Sequence, residues 1–275
     1  MIKIPFYKMS GSGNDFIVID NRKGVYNQLR TSEFAAAVCR RSISIGADGL
    51  IFIENSDSCD FVWRFYNSDG SAAEMCGNGA RCAARFAVLN GIAGTPMAFE
   101  TVAGTITAEV KGSTVKIRLP EPGAMETGIK LDVDGDSINL STINTGVPHA
   151  IVFVEDVESV KVKELGKKIR FHENFQPAGT NANFISIGSD NVVNIRTYER
   201  GVEDETLACG TGAVAAALVA VAMGKASSPV KVKTRSNEIL NVFANENLPP
   251  FKEVYLEGGA RVVSEGEIWD EAYTS

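Results

Sequence analysis

One short string occurs twice in this chain, as Met75-Cys76-Gly77-Asn78-Gly79-Ala80 and as Ala208-Cys209-Gly210-Thr211-Gly212-Ala213, with the cysteines 133 positions apart. Each copy opens an Ala-rich apolar run that closes on a glycine, Gly91 and Gly224, at the same spacing. With that offset Phe65-Tyr66-Asn67 falls on Tyr198-Glu199-Arg200, Gly46-Ala47-Asp48 on Gly179-Thr180-Asn181, and Gly13-Asn14 on Gly146-Val147. Repeats of about 20 to 50 residues build solenoids, whereas a period near half the chain means two similar domains. The spacing therefore predicts an internal duplication, gap-free through the cysteine motifs. A later register shift follows, because Val115 to Leu119 best matches Glu253 to Leu256.

Within each half, runs rich in β-branched and aromatic residues precede the cysteine, and these predict strands. They are 16–19, 50–53 and 61–66 in the first copy, and 150–154, 183–187 and 192–198 in the second. The run from Ala213 to Met223 is apolar almost all round, at helical length but too short to span a bilayer, and reads as a buried helix. Short strands with such a helix predict a sheet wrapped around it. Residues 29–41 and 162–169 read as second helices. Residues 121–136, with Pro122, Gly123, Gly128 and Gly135, read as the linker between copies.

At 275 residues and 44% hydrophobic content, two domains with real cores are expected. A formal charge of −7 argues against a nucleic-acid partner. The start, Met1-Ile2-Lys3-Ile4-Pro5, lacks the apolar core of a signal peptide, and no run predicts a membrane partner. Five cysteines, an odd number, without such a signal predict a reducing cytoplasm.

A cysteine just ahead of a helix meets the first unpaired backbone N–H groups and the positive end of the helix dipole, which favour thiolate over thiol. The flanking Gly77, Gly79, Gly210 and Gly212 let bare N–H groups approach an anion. Two such helix starts aimed at one point would hold a carboxylate between them. One thiolate then removes the proton of an adjacent α-carbon, the other thiol returns one to the opposite face, and configuration inverts. The carbanion needs support, which N–H donors on the carboxylate supply, each worth about 3–4 kcal/mol in acyl-transfer enzymes. Sulfur and carbon should stand roughly 3–3.5 Å apart. No lysine sits in a pyridoxal-phosphate context, and no cofactor or metal is expected.

Gly11-Ser12-Gly13-Asn14-Asp15-Phe16, Asn67-Ser68-Asp69-Gly70-Ser71, Met75 to Arg81, Tyr198-Glu199-Arg200-Gly201 and Ala208 to Gly212 together resemble the diaminopimelate epimerase family, over nearly the whole chain. The resemblance implies an α/β (α+β) fold of two pseudo-symmetric domains, each a curled mixed β-sheet around a central helix. It implies a first domain over 1–120, completed by 260–275, and a second over 121–259. It also implies cofactor-free interconversion of LL- and meso-2,6-diaminopimelate in lysine and peptidoglycan precursor synthesis. Cys76 and Cys209 are then the acid–base pair. Backbone groups around Gly77, Asn78, Gly210 and Thr211 hold the reacting carboxylate, while Asn14, Asn67, Asn181, Glu199 and Arg200 engage the far end. His149 and Glu199 resemble the family's thiol-tuning pair, and at the constant offset their first-copy counterparts are Phe16 and Tyr66. The expected partner is a small amino acid, with a homodimer as the candidate assembly.

This chain departs from the family at two positions bordering the distal end, carrying Val147 where many members have Asn and Gly49 where some have Gln. Related readings are a racemase of histidine or proline type and a non-catalytic two-domain amino-acid binding protein. Proline-type enzymes typically place His where this chain has Asn78. Plainer roles also stand beside the sharp ones. Cys39, Cys59 and Cys82 read as buried small hydrophobes. Asn14, Asn67 and Asn181 are also good turn residues. Arg200 also suits an ion pair with Glu203 or Asp204, His149 a structural imidazole, and His172 the surface.

Overall fold

Strands that are apolar at every position must be covered on both faces, and that requirement organises each half of the chain. The computed structural model describes residues 3–188 and 192–274. Met1, Ile2 and Ser275 of the expected first domain, and residues 189–191 of the expected second, lie outside the described residues. The chain divides into two compact units, Met1–Ile117 with Gly258–Ser275, and Arg118–Glu257. In chain order the first contains β1 (Ile4–Gly11), β2 (Asn14–Asp20), α1 (Ser32–Cys39), β3 (Gly49–Glu54), β4 (Phe61–Asn67), α2 (Gly77–Leu89), β5 (Met97–Thr101), β6 (Gly104–Lys111) and β7 (Thr114–Arg118). The second contains β8 (Met125–Val133), β9 (Asp136–Asn144), β10 (Pro148–Phe153), α3 (Val162–Arg170), β11 (Asn181–Ile187), β12 (Val193–Glu199), β13 (Asp204–Thr206), α4 (Gly210–Ala222), β14 (Val230–Lys233) and β15 (Ile239–Ala244). Strand β16 (Val254–Gly259) leads back to the first unit and β17 (Arg261–Ile268).

In the first unit β2 and β3 run parallel at the centre, flanked by antiparallel β1 and β4. Ile17, Ile19, Leu50 and Phe52 point to one face and pack with Phe34, Ala35 and Val38 of α1. The alternate residues of the same strands point the other way, toward α2, which packs on β1, β2, β3 and β6. The second unit repeats this plan. Parallel β10 and β11 lie between antiparallel β9 and β12. Ala150, Val152, Ala182, Phe184 and Tyr198 pack with Val162 and Ile169 of α3. Their neighbours face α4, which packs on β9, β10, β11, β12, β14 and β15. Ten of the thirteen residues of α4 are buried, so a helix with no polar face has strands around it. The fold is α+β, with a mixed sheet curled around a central helix in each unit.

Three expectations change. First, the duplication is not gap-free. Helices α2 and α4 keep the 133 offset, but β3–β4 pairs Leu50 with Tyr66 while β11–β12 pairs Ala182 with Tyr198, an offset of 132. In a strand, one residue of slip turns every side chain to the other face, and the buried positions Phe61, Trp63 and Phe65 match Val193, Ile195 and Thr197 only at 132. The structural counterpart of Glu199 is therefore Asn67, not Tyr66.

Second, residues 121–136 are not a plain linker, because they contain β8. Gly128, with φ 73°, sits in the bulge where the β8–β9 register shifts. Asp134 and Gly135, with φ 57° and 91°, form the two-residue hairpin turn that follows. Third, the helix expected over 29–41 is shorter, since Thr31 caps it by accepting from Phe34 N at 3.1 Å. Among the described residues no helix is long and apolar enough to cross a membrane.

Candidate active site

Each cysteine motif stands where a strand-like approach enters a central helix. Cys76 is the residue before α2, with extended backbone (φ −145°, ψ 118°), and Cys209 is the residue before α4 (φ −116°, ψ 111°). The first intrahelical bonds are Ala80 N to Cys76 O, 2.8 Å, and Ala213 N to Cys209 O, 2.9 Å. The amides before them, on Gly77 and Asn78 and on Gly210 and Thr211, have no carbonyl in the preceding turn to bond and are the natural anion donors.

In the first unit a line of polar groups sets this helix start. The β1–β2 hairpin turns through Ser12 and Gly13, both with positive φ (54° and 91°). A serine there is strained, and Arg81, fully buried in α2, holds it by donating from Nη2 to Ser12 Oγ at 2.7 Å. The same nitrogen donates to Asn78 Oδ1 at 2.9 Å, Asn78 Nδ2 donates to Asn14 Oδ1 at 2.5 Å, and Asn14 Nδ2 donates to Asp48 Oδ2 at 3.1 Å. A guanidinium only donates and a carboxylate only accepts, so these two ends dictate how both amides face. Asp48 is in turn held by Arg41 at 2.7 Å. Burial pushes the neighbouring Asp15 carboxyl up, but hydrogen bonds from Arg41 and Lys8 outweigh it and bring it to about 2.

Asn67 ends β4 directly opposite Gly49 and donates to Ser71 Oγ at 3.0 Å. At Gly49 a Cβ would fall 2.6 Å from the Phe65 ring and 2.8 Å from Tyr66 O, so no side chain fits on this backbone without a shift.

The second unit builds the same place differently. The Cys209 sulfur accepts from Gly212 N at 3.3 Å and lies 3.5 Å from the Thr211 hydroxyl; Cys76 makes no such capping bond to its own helix. Thr145 fastens the β9–β10 turn by donating to Thr211 O at 2.9 Å, where the first unit uses buried Arg81. Asn181, 2% exposed, accepts from Arg200 N at 2.8 Å and donates to Pro148 O at 3.0 Å, locking two strand ends together. Arg200 donates to Ala178 O at 3.0 Å. Glu203 and Asp204 are bound instead by Arg170 and Lys163, so the plainer reading of Arg200 as their ion-pair partner fails. Its guanidinium keeps donors for an anion. Burial pushes the Glu199 carboxyl up.

His149 is 1% exposed, and burial, followed by the Arg200 charge, lowers it to about 3. Asn183 Nδ2 lies 3.2 Å from His149 Nδ1, and among the described residues the buried Nε2 has no hydrogen-bond partner. Sequence reasoning missed Asn183 because it looks like an ordinary strand residue beside Asn181. Only the alternation of β11, which turns Ala182 and Phe184 to α3 and Asn183 to α4, marks it. Arg81, in α2, and Asp48, Ser12 and Thr145, in connecting turns, were missed because each meets its partner only through the fold. Among the plainer readings, Cys39 and Cys82 are buried but Cys59 is only half-buried. His172 ties two segments, with Nε2 2.9 Å from Asp132 O and Nδ1 accepting from Asn174 N at 3.2 Å.

The two helix starts respond differently to a methyl group. A Cβ on Gly79 would make ordinary contacts at 3.4 Å with Ile51, Phe16 and Trp63, whereas one on Gly212 would fall 2.6 Å from Asn183 Oδ1 and 3.2 Å from Cys209 Sγ. Gly212→Ala is therefore expected to destabilise the protein by about 1–3 kcal/mol. Gly79→Ala is neutral or stabilising by up to about 1 kcal/mol, because alanine is the better helix former. Urea midpoints of the two variants check this, and equal shifts would contradict the geometry.

The family model described as diaminopimelate epimerase matches residues 6–125 and 141–263. Among curated relatives, the diaminopimelate epimerase of Aquifex aeolicus (strain VF5) is 50% identical, covering 97% of this chain and 98% of the relative. That of Chlorobaculum tepidum is 46% identical, covering 94% and 99%. Among solved structures, a probable proline racemase from Agrobacterium radiobacter K84 superposes with a TM-score of 0.73 at 15% identity, covering 98% of this chain and 94% of that one. That likeness is one of fold.

Proposed function

This chain belongs to the diaminopimelate epimerase family, and from that premise we propose that it inverts one α-carbon of 2,6-diaminopimelate, LL to meso, with two thiols and no cofactor. The observation that carries the reading is the repeated placement of a cysteine at the residue before a buried helix whose first amides face no carbonyl of their own. The thiolate of one cysteine takes the α-proton, forming an S–H bond as the C–H bond breaks. The electron pair delocalises into the carboxylate, where amides of Gly77, Asn78, Gly210 and Thr211 meet the growing charge. The other cysteine gives its S–H proton to the opposite face and becomes the thiolate. No net proton is lost, and the two sulfurs exchange ionisation states with each turnover.

The distal end of the substrate carries a second carboxylate and ammonium. Arg200 offers a planar fork to the carboxylate. Glu199 takes the ammonium, and its burial favours that role, because a carboxylate that is costly to ionise alone gains most from a cation. In the first unit Asn14 and Asn67 complete the contacts, each with one amide N–H beyond its protein bond. Val147 leaves no side-chain donor at the position matching Asn14. The reading carries with it a cytoplasmic isomerase of amino-acid biosynthesis and a homodimeric assembly.

The test is incubation in D₂O with LL-diaminopimelate, following α-deuteration by NMR and inversion by chiral chromatography. Deuterium is expected in the meso product at the inverted centre. Proline or histidine exchanging while diaminopimelate does not would sink the substrate assignment, and exchange of none of them would favour a binding protein.

A further inference from the structure

The beds beneath the two cysteine motifs are chemically opposite. In the first unit Phe16, Ile51 and Trp63 lie under the start of α2, each 3.4 Å from a Cβ position on Gly79, and Phe65 stands edge to face with Phe16 at 5.9 Å. At the strand positions of the second unit that correspond to Phe16, Ile51 and Phe65 stand His149, Asn183 and Thr197, all buried. They form one bonded set. Thr197 Oγ1 donates to Asn183 Oδ1 at 2.9 Å, and Asn183 Nδ2 donates to Ala150 O at 3.0 Å and lies 3.2 Å from His149 Nδ1. Three polar side chains replacing three apolar ones inside a core are costly unless each bond is made.

The geometry leaves Asn183 one orientation. Ala150 O only accepts, so the amide nitrogen must face it, and the Thr197 hydroxyl then meets Oδ1. With a donor presented to Nδ1, the imidazole must accept there, and its proton resides on Nε2. Nε2 is buried and, among the described residues, meets no protein partner, so the Nε2–H form breaks no bond that the described residues make. Asn183 Oδ1 also lies 2.6 Å from the Cβ position of Gly212, whose amide donates to Cys209 Sγ. One side chain thus presents a donor to the imidazole and stands against the residue whose amide meets the sulfur.

We propose that Asn183 is a positioning residue for the Cys209 half of the reaction, holding His149 as the Nε2–H tautomer and seating the Gly212 amide against the Cys209 sulfur. This rests on the reading of Cys209 as one of the two acid–base thiols. The first unit has no equivalent, so the two half-reactions are tuned by different means.

The chain has only two histidines, His149 and His172, so ¹⁵N–¹H long-range correlation of imidazole-labelled enzyme resolves the tautomer, with His172→Gln to assign it. The expected result is His149 neutral and protonated on Nε2 at pH 7. In Asn183→Asp, the new carboxylate accepts from the ring, moving the proton to Nδ1 or adding a second one, while kcat falls about ten- to a hundredfold with KM unchanged. A wild-type His149 protonated on Nδ1 overturns the proposal, and so does an Asn183→Asp variant that keeps both tautomer and kcat. The tautomer is read without Asn183→Asp, so a misfolded Asn183→Asp leaves the question decidable. Turnover of no substrate with the expected tautomer sinks the epimerase reading and with it the catalytic role, leaving only the tautomer assignment; full turnover with an Nδ1 proton sinks this proposal alone.

Discussion

Cys76→Ala and Cys209→Ala each lower inversion of diaminopimelate by about 10²- to 10⁴-fold, the range that a positioned acid or base contributes. The more telling result is what each variant retains. With one thiol left, a proton can be taken from one face and returned to that face after exchange with solvent, so deuterium enters without inversion. The two variants are expected to do this with opposite configurations at the reacting carbon, because each surviving sulfur serves one face. Forward and reverse kcat/KM stay linked through the equilibrium constant, so exchange rather than net turnover reveals the division of labour. Either variant retaining full inversion, or both labelling the same isomer, would end the two-thiol reading. A complementary check is mild oxidation followed by peptide mass spectrometry, in which a Cys76–Cys209 crosslink is the expected product.

The second large effect falls on stability. Arg81→Met keeps a long side chain in the α2 core but removes a cation that bonds Ser12 Oγ, Asn78 Oδ1, Gly77 O and, at 3.3 Å, Gly259 O. Bonds from a charged group are worth about 1.5–3 kcal/mol each, and a buried acceptor left alone costs about 1–3 kcal/mol. Partial relaxation brings the expected loss to about 3 kcal/mol, a large part of the usual 5–15 kcal/mol of a domain. Ser12 then loses what holds it at positive φ, and the Asn78–Asn14 amides lose the donor that orients them. Hydrogen exchange should rise over residues 11–14 and 77–80 before the rest of the first unit. A uniform rise, or none, would mean that Arg81 only fills space. The second unit has Val214 at the equivalent position, 1% exposed, and fastens its turn through Thr145, so Val214→Ala carries no such local signature.

The strands, the buried α4 and the cysteine-to-helix junctions were legible because period-two and all-apolar patterns report burial directly. The linker was misread for a physical reason: Gly128 and Gly135 serve a bulge and a hairpin turn, and glycine marks a positive φ wherever it occurs, within a sheet as well as between domains. The constant offset was misread because helices and strands tolerate a one-residue deletion differently. A helix start carries its own punctuation, whereas a strand shows slip only through which face is buried, and Tyr66 and Asn67 gave no contrast strong enough to decide.

Taken alone, the order of residues determined that the chain is duplicated, that each half wraps strands around a small-residue helix, and that each half sets a thiol ahead of glycine amides. These are local properties of a continuous stretch, governed by side-chain size, periodicity and backbone freedom. The tertiary structure decided which polar groups meet. Arg81 reaches Ser12 from 69 positions away, and His149 finds Asn183 across parallel strands 34 positions apart. Hydrogen bonds of that kind depend on angle and on which face of a strand is turned inward, and neither is written in any one segment of the chain.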